Sequence, residues 1–138
     1  MTYTSQLHVQ DSATGRSDAI LGAIAAAASA VDYDAVDVAV AYASRRGVSE
    51  LSVALTSSRW LSAGKRWLVS MDFGRTEPAA LDALAALPNS EVRVPNGRDV
   101  IASQSLQPKI TFHTKAYLFR LAGHNCPVAV IIGSANLT

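Results

Sequence analysis

The residues best suited to chemistry lie near the end of the chain, in two pairs with the same spacing. His113 and Lys115 are two residues apart, and Ser134 and Asn136 repeat that spacing. A lysine can hold a phosphate oxygen as a point charge, and a histidine can act as nucleophile or proton carrier near neutral pH. A hydroxyl and a carboxamide can donate hydrogen bonds to the same oxygens as negative charge builds in the transition state. The two pairs therefore predict a phosphate site.

A predicted β-hairpin brings these two pairs together. Residues 109–121, KITFHTKAYLFRL, alternate in polarity and predict a strand, on which side chains two apart leave the same face. After a turn at Gly123, the apolar run 127–132 predicts a second strand that leads into Gly133. Gly133 permits a tight bend and a close approach of the backbone to a ligand. Because the strands are neighbours, we expect the pairs to converge.

Upstream of the hairpin, helix and strand patterns alternate along the chain. The expected helices span 18–31, beginning at Ser17 and Asp18, then 47–55 and 76–87. The expected strands span 36–42, 66–73 and 91–94, and 95–108 is expected to be a surface loop. This order predicts an α/β fold, and a chain of 138 residues, 49% hydrophobic, fits a single domain over 1–138.

Composition excludes some classes of protein and leaves others open. The net charge of +1 is too small to indicate a nucleic-acid partner by itself. Lysines and arginines concentrate within 45–75, which forms either a phosphate-facing patch or an ordinary solvated face. The lone Cys126 excludes an intrachain disulfide and cannot build a zinc site alone. We expect no cofactor. No secretory signal or spanning segment is visible, which predicts a cytoplasmic protein that does not bind membranes.

The two motifs together are more specific than either alone. HTKAYLF, followed after a strand by GSANLT, resembles the signature of the phospholipase D superfamily, H-x-K-x4-D followed by G-S-x-N. The resemblance is nearest to the nuclease-like branches, which include metal-independent restriction endonucleases. It implies a phospholipase D-like αβα sandwich with a mixed central sheet, in which each chain carries one half-site. The order of elements from about residue 36 onward is similar to one half of that fold.

The resemblance also implies a mechanism. A histidine in the place of His113 attacks phosphorus to form a phosphohistidine, and a second histidine, from another copy of the motif, protonates the leaving oxygen. That second histidine then activates the water that releases the product. Lys115, Ser134 and Asn136 hold the phosphoryl oxygens. Tyr42 follows the first strand, where ligand crevices of open α/β sheets form, and is a candidate substrate contact together with Thr138.

The chain departs from the family pattern in two ways. Arg120, a candidate substrate contact, stands where the family has its aspartate. Some nuclease-like members lack that aspartate too, and Asp72, Glu77 and Glu91 are candidates to replace it. Only one motif copy is present. Either two chains therefore pair about a two-fold axis as a homodimer, or this chain is the front half of a longer protein.

These observations favour a metal-independent phosphodiesterase, expected to be a nuclease that cleaves DNA. A phospholipase or phosphatidyl transferase of the same superfamily is the first alternative. A degenerate domain that binds nucleic acid without cleaving it is the second, because the motif aspartate is missing and only one motif is present.

Overall fold

The fold is α/β, with a five-stranded mixed sheet flanked by helices. The computed structural model describes Ser5 and residues 19–104, 106–134 and 136–138; the expected helix start at Ser17 and Asp18 lies outside these residues. The strands are β1 Ala35–Val40, β2 Gly64–Val69, β3 Ser90–Arg93, β4 Lys115–Arg120 and β5 Ala129–Ile132. The helices are α1 Ala19–Ala30, α2 Arg45–Ala54, α3 Ser58–Ser62, α4 Pro78–Ala85 and α5 Gly97–Ala102, with a 3₁₀ turn at Asp72–Gly74.

The order of strands places several chain ends at one edge of the sheet. The order is β3-β2-β1-β4-β5, in which β1, β2 and β3 run parallel. Strand β4 runs antiparallel to β1, and β5 runs antiparallel to β4, so β5 has the direction of β1. The carboxyl ends of β1, β2 and β5 therefore lie at the same edge as the amino end of β4. We call this edge the loop edge.

The hydrophobic core lies on one face of the sheet. Val36, Val38 and Val40 alternate inward along β1 and are at most 2% exposed, because side chains two apart share a face of a strand. Helices α1, α2 and α4 contribute the apolar side chains that cover this face, among them Ile24, Leu51 and Leu84. Among the described residues, no helix is long and apolar enough to cross a membrane.

The strand expected over 109–121 is shorter than its sequence pattern predicts. It begins at Lys115, which pairs with Val40, the last residue of β1. On the other side, β5 ends at Ile132, opposite Ala116. Residues 109–114 therefore have no strand beside them. His113 lies in the segment that leads into the strand, so the expectation that it stands on the strand with Lys115 is wrong.

Two short helices were also outside the sequence predictions. Helix α5 falls within the expected loop 95–108, where Pro, Asn, Gly and Ser dominate the local pattern, and it is anchored by Val100, which is 1% exposed. Helix α3 is five residues long and begins at a cap in which the Ser57 hydroxyl accepts the Trp60 N–H. Helices this short depend on tertiary packing more than on intrinsic propensity, so a sequence pattern gives little sign of them.

Candidate functional site

Three chain segments interlock at the loop edge. The segment after β5 pairs with the segment after β1, because Ser44 N–H donates to the Leu137 carbonyl (2.8 Å) and Leu137 N–H donates to the Tyr42 carbonyl (3.1 Å). The segment after β2 joins them through Glu77 N–H, which donates to the Ala43 carbonyl (3.0 Å). These cross-connections fix the backbone on which the candidate site residues stand.

His113 presents its ring at the surface of this edge. The side chain is exposed, and its ring packs edge-on against Tyr42, with 5.8 Å between ring centroids and an interplanar angle of 67°. Tyr42 is half-buried in the segment after β1. The contact limits the orientations of the imidazole and leaves it accessible to a ligand.

Lys115 lies behind His113 and is almost fully buried. It is 6% exposed, and its Nζ donates to the His113 carbonyl oxygen at 3.0 Å. An ammonium has three donors, and this carbonyl is its one acceptor among the described residues. A buried ammonium with donors to spare is an electrostatic site for an anion.

Asn136 is oriented by the backbone of Tyr42. Its Oδ1 accepts the Tyr42 N–H at 3.2 Å, which fixes the orientation of the carboxamide. The Nδ2 group therefore remains as the donor, with no acceptor in the described part of the chain. Asn136 and His113 thus both contact the same residue, one through its backbone and one through its ring.

Gly133 and Ser134 extend this arrangement after β5. Gly133 N–H donates to the Lys115 carbonyl at 3.2 Å. A Cβ on Gly133 would meet no atom within 4 Å, and the backbone is not in the left-handed region, so neither packing nor conformation requires glycine there. Its lack of a side chain leaves open space beside the site instead. Ser134 is exposed in the bend that follows.

Thr138 lies beside the first turn of α2 and is exposed. A Cβ on Gly47 would come within 2.5 Å of the Leu137 carbonyl oxygen, so the glycine allows α2 and this segment to meet. The amino end of α2 is capped by the Ser44 hydroxyl and by Glu77, whose Oε2 accepts the Arg45 N–H at 2.7 Å. A carboxylate therefore already occupies the positive end of this helix.

Arg120 is not brought together with the other candidates. It pairs with Ala35 at one end of the β1–β4 ladder, whereas Lys115 pairs with Val40 at the other end. Its guanidinium donates to Asp37 at 3.1 Å. Burial opposes ionisation of Asp37, but hydrogen bonds from Arg66 and Arg120 outweigh it and lower the pKa of this carboxyl below its ordinary value.

Of the three acids considered as substitutes for the motif aspartate, Asp72 contacts the His113 segment. Its carboxylate accepts the Phe112 N–H at 2.9 Å, and the residue is 2% exposed. Glu77 caps α2, and Glu91 forms an ion pair with Arg93.

Arg75 belongs to the basic stretch 45–75, but no sequence pattern singled it out as a candidate site residue. Its Cζ lies 5.5 Å from the centroid of the Tyr42 ring, within the range of a cation–π contact. Its position in the sequence could have identified it. Asp72 and Arg75 follow the carboxyl end of a parallel strand, which is the reason that Tyr42 was selected.

No protein-family model and no curated protein matches this chain. The resemblance to the phospholipase D superfamily therefore depends on the residues themselves. Within the described ranges, no three His, Cys, Asp or Glu side chains are grouped so that they could hold a metal ion.

Proposed function

We propose that this chain carries one half-site of a metal-independent phosphodiesterase of the phospholipase D type, a nuclease that cleaves DNA. The observation that carries the proposal is the placement of His113, an exposed imidazole whose own carbonyl binds the buried ammonium of Lys115 and whose ring contacts Tyr42. Tyr42 in turn orients the amide of Asn136. The expected αβα sandwich, with one half-site per chain, is part of the same proposal.

The proposed reaction has two displacements at phosphorus. A ring nitrogen of His113 uses its lone pair to form a P–N bond, and the P–O bond to the leaving group breaks. The departing oxygen takes a proton from the histidine of a second motif copy. Water then attacks phosphorus, the P–N electron pair returns to His113, and the second histidine accepts the proton from the water. Each step is easier than a single displacement by water.

The remaining residues stabilise the charge on the phosphoryl oxygens. Lys115 supplies a positive charge from a nearly dry position, where electrostatic attraction is stronger than in water. Asn136 Nδ2 and the Ser134 hydroxyl donate hydrogen bonds to the same phosphoryl oxygens. The open space beside Gly133 leaves room for these oxygens. In this proposal a homodimer, or a second phospholipase D-like half, supplies the second histidine.

The proposal is tested by cleavage of single-stranded DNA and of plasmid DNA and by trapping of the intermediate. His113→Ala should abolish cleavage, while His124→Ala, which changes an exposed histidine in the turn between β4 and β5, should leave it unchanged. EDTA should have no effect. Labelled substrate should remain covalently bound to the parent protein, but not to His113→Ala, after denaturation at alkaline pH. Cleavage that survives in His113→Ala, or that EDTA abolishes, would refute the mechanism.

A second candidate is a domain that binds nucleic acid without cleaving it. A hydrogen bond from the ring to a carboxylate would orient a nucleophilic histidine. No carboxylate among the described residues accepts such a bond from the His113 ring, and this observation favours the second candidate. Under this alternative, the parent protein and His113→Ala bind DNA with the same salt-dependent affinity and neither cleaves it.

A further inference from the structure

Phe73 combines an exposed aromatic side chain with an unusual backbone conformation at the loop edge. The residue is 52% exposed and adopts φ 58° and ψ 18°, in the left-handed region. Non-glycine residues in that region are strained, and such residues concentrate at functional sites. The conformation is fixed by neighbours, because Phe73 N–H donates to the Leu106 carbonyl (2.9 Å) and Gly74 N–H donates to the Met71 carbonyl (3.0 Å).

One hydrogen bond links the segment of Phe73 to the segment of the proposed nucleophile. The 2.9 Å contact between the Asp72 carboxylate and Phe112 N–H joins the residue before Phe73 to the residue before His113. Both side chains are therefore one residue away from a single fixed contact. The Phe73 ring contributes little to the hydrophobic core, because about half of the surface of the residue faces solvent.

Arg75 places a cation beside the same site. Its guanidinium lies over the Tyr42 ring, 5.5 Å from the centroid, and the centroid of the His113 ring is 5.8 Å from that of the same tyrosine. Among the described residues Arg75 forms no ion pair, although most other arginines of the sheet and its flanks do. A guanidinium held by an aromatic ring remains available for an anion.

We infer that Phe73, Arg75 and Tyr42 form a platform for an unpaired stretch of polynucleotide, on which a base stacks against Phe73 while Arg75 binds a phosphate next to the one at His113. We call these three residues the strand platform. The inference rests on the proposed function and specifies its substrate as a strand with an exposed base. Sequence-tolerant binding of single strands combines these two elements, aromatic faces for bases and cations for the backbone.

The chemistry of the platform separates a polynucleotide from a phospholipid. A lipid headgroup has a phosphate for Lys115 and Arg75 but no flat π-face for Phe73. A fully paired duplex has its bases stacked on one another and meets only the cations. A base-dependent affinity that requires the ring at position 73 is therefore specific to an unpaired strand.

The test is equilibrium binding of the full chain to two fluorescent single-stranded DNAs of equal length, one normal and one abasic, measured by anisotropy over a range of salt concentrations. The parent should prefer the normal strand by roughly tenfold, a typical effect of one stacked base. Phe73→Ala and Phe73→Leu should lose that preference, and Phe73→Trp should retain it. Arg75→Ala should weaken binding to both strands alike and reduce the salt slope by about one phosphate contact.

Matched controls separate the platform from general effects on the fold. Val53→Ala removes a side chain that is 78% exposed on α2, and Arg120→Ala removes an exposed cation at the far end of β4. Neither should change the preference for the normal strand. Equal affinity of the parent for both DNAs, no binding to either, or an unchanged preference in Phe73→Ala would overturn the inference.

The outcomes distinguish this inference from the proposed function. Base-dependent binding that is lost in Phe73→Ala, in a protein that cleaves no DNA, supports the platform and contradicts the phosphodiesterase. Cleavage that depends on His113 but is unaffected by Phe73→Ala and Arg75→Ala supports the phosphodiesterase and contradicts the platform.

Discussion

The contact between Asp72 and Phe112 makes a specific prediction about what holds the His113 segment in place. Asp72 is 2% exposed, and its carboxylate accepts the Phe112 N–H at 2.9 Å across 40 residues of sequence. Residues 109–114 lack a strand partner, so this hydrogen bond, together with the one from Asn96 Nδ2 to the Ile110 carbonyl, holds the segment in place. Asp72→Ala should therefore loosen the segment and lower the stability of the fold.

The magnitude follows from the type of hydrogen bond. A bond to a charged group contributes about 1.5–3 kcal/mol, and its loss leaves the Phe112 N–H without an acceptor. Removing the buried charge also removes its desolvation cost, which offsets part of the loss. We expect a net destabilisation of about 2 kcal/mol, which for a chain of this size lowers Tm by roughly 4–8 °C. Asp72→Asn retains an acceptor oxygen and should cost about half as much.

Thermal denaturation followed by circular dichroism measures the global effect, and amide hydrogen exchange at Phe112 measures the local one. Asp82→Ala, at an exposed position on α4, is the matched control and should leave both unchanged. Exchange of the Phe112 amide in Asp72→Ala at the rate of the parent protein would contradict this role of Asp72. So would an Asp72→Asn variant as unstable as Asp72→Ala, because the acceptor oxygen would then be irrelevant.

Four further substitutions test the packing of the loop edge and core. Gly47→Ala should lower the free energy of unfolding, measured with denaturant, by on the order of 2 kcal/mol, because its methyl would lie 2.5 Å from the Leu137 carbonyl oxygen. Gly22→Ala, whose methyl would have no atom within 4 Å, should raise the free energy of unfolding by about 0.5–1 kcal/mol. Burial raises the pKa of Tyr117 to about 12 from 10.0. The stability that the protonated phenol provides below pH 10 is therefore lost as the pH rises through 12. In an absorbance titration, the phenol that ionises near pH 12 should be absent from Tyr117→Phe. Lys115→Met should change the free energy of unfolding by less than about 1 kcal/mol, because the loss of its hydrogen bond is offset by the removal of the desolvation cost of the ammonium. Inorganic phosphate should raise the Tm of the parent protein but not that of Lys115→Met.

The fold was predictable where hydrophobic periodicity reflects burial. Strand β1 was expected over 36–42 and spans Ala35–Val40, because the valines that alternate in the sequence are the ones that face the core. Helix α2 was expected over 47–55 and spans Arg45–Ala54, with Val48 and Leu51 buried as the spacing indicates. In both elements the local pattern and the tertiary packing agree.

The loop edge was less predictable, because its geometry depends on contacts between residues far apart in sequence. The alternation in 109–114 is as regular as that in β4, yet whether it forms a strand depends on where β1 and β5 end. Asp72 and Arg75 carry no motif, and their importance follows from meeting Phe112 and Tyr42. The motif residues His113, Lys115 and Asn136 could be proposed from the sequence because their types and spacing carry chemical information by themselves.

Lys115 belongs to the motif and is also part of the buried face of the sheet. On β4 it shares the inward face with Tyr117 and Phe119, and its cross-strand partner is Val40, which is fully buried. A core built for stability alone would carry an apolar side chain at that position, because an ammonium there is costly unless an anion or several acceptors compensate it. Only the carbonyl of His113 does so within the described residues. The anionic ligand proposed at His113 would supply the missing compensation, so the burial of Lys115 supports the proposed phosphate site by a route that is independent of the motif.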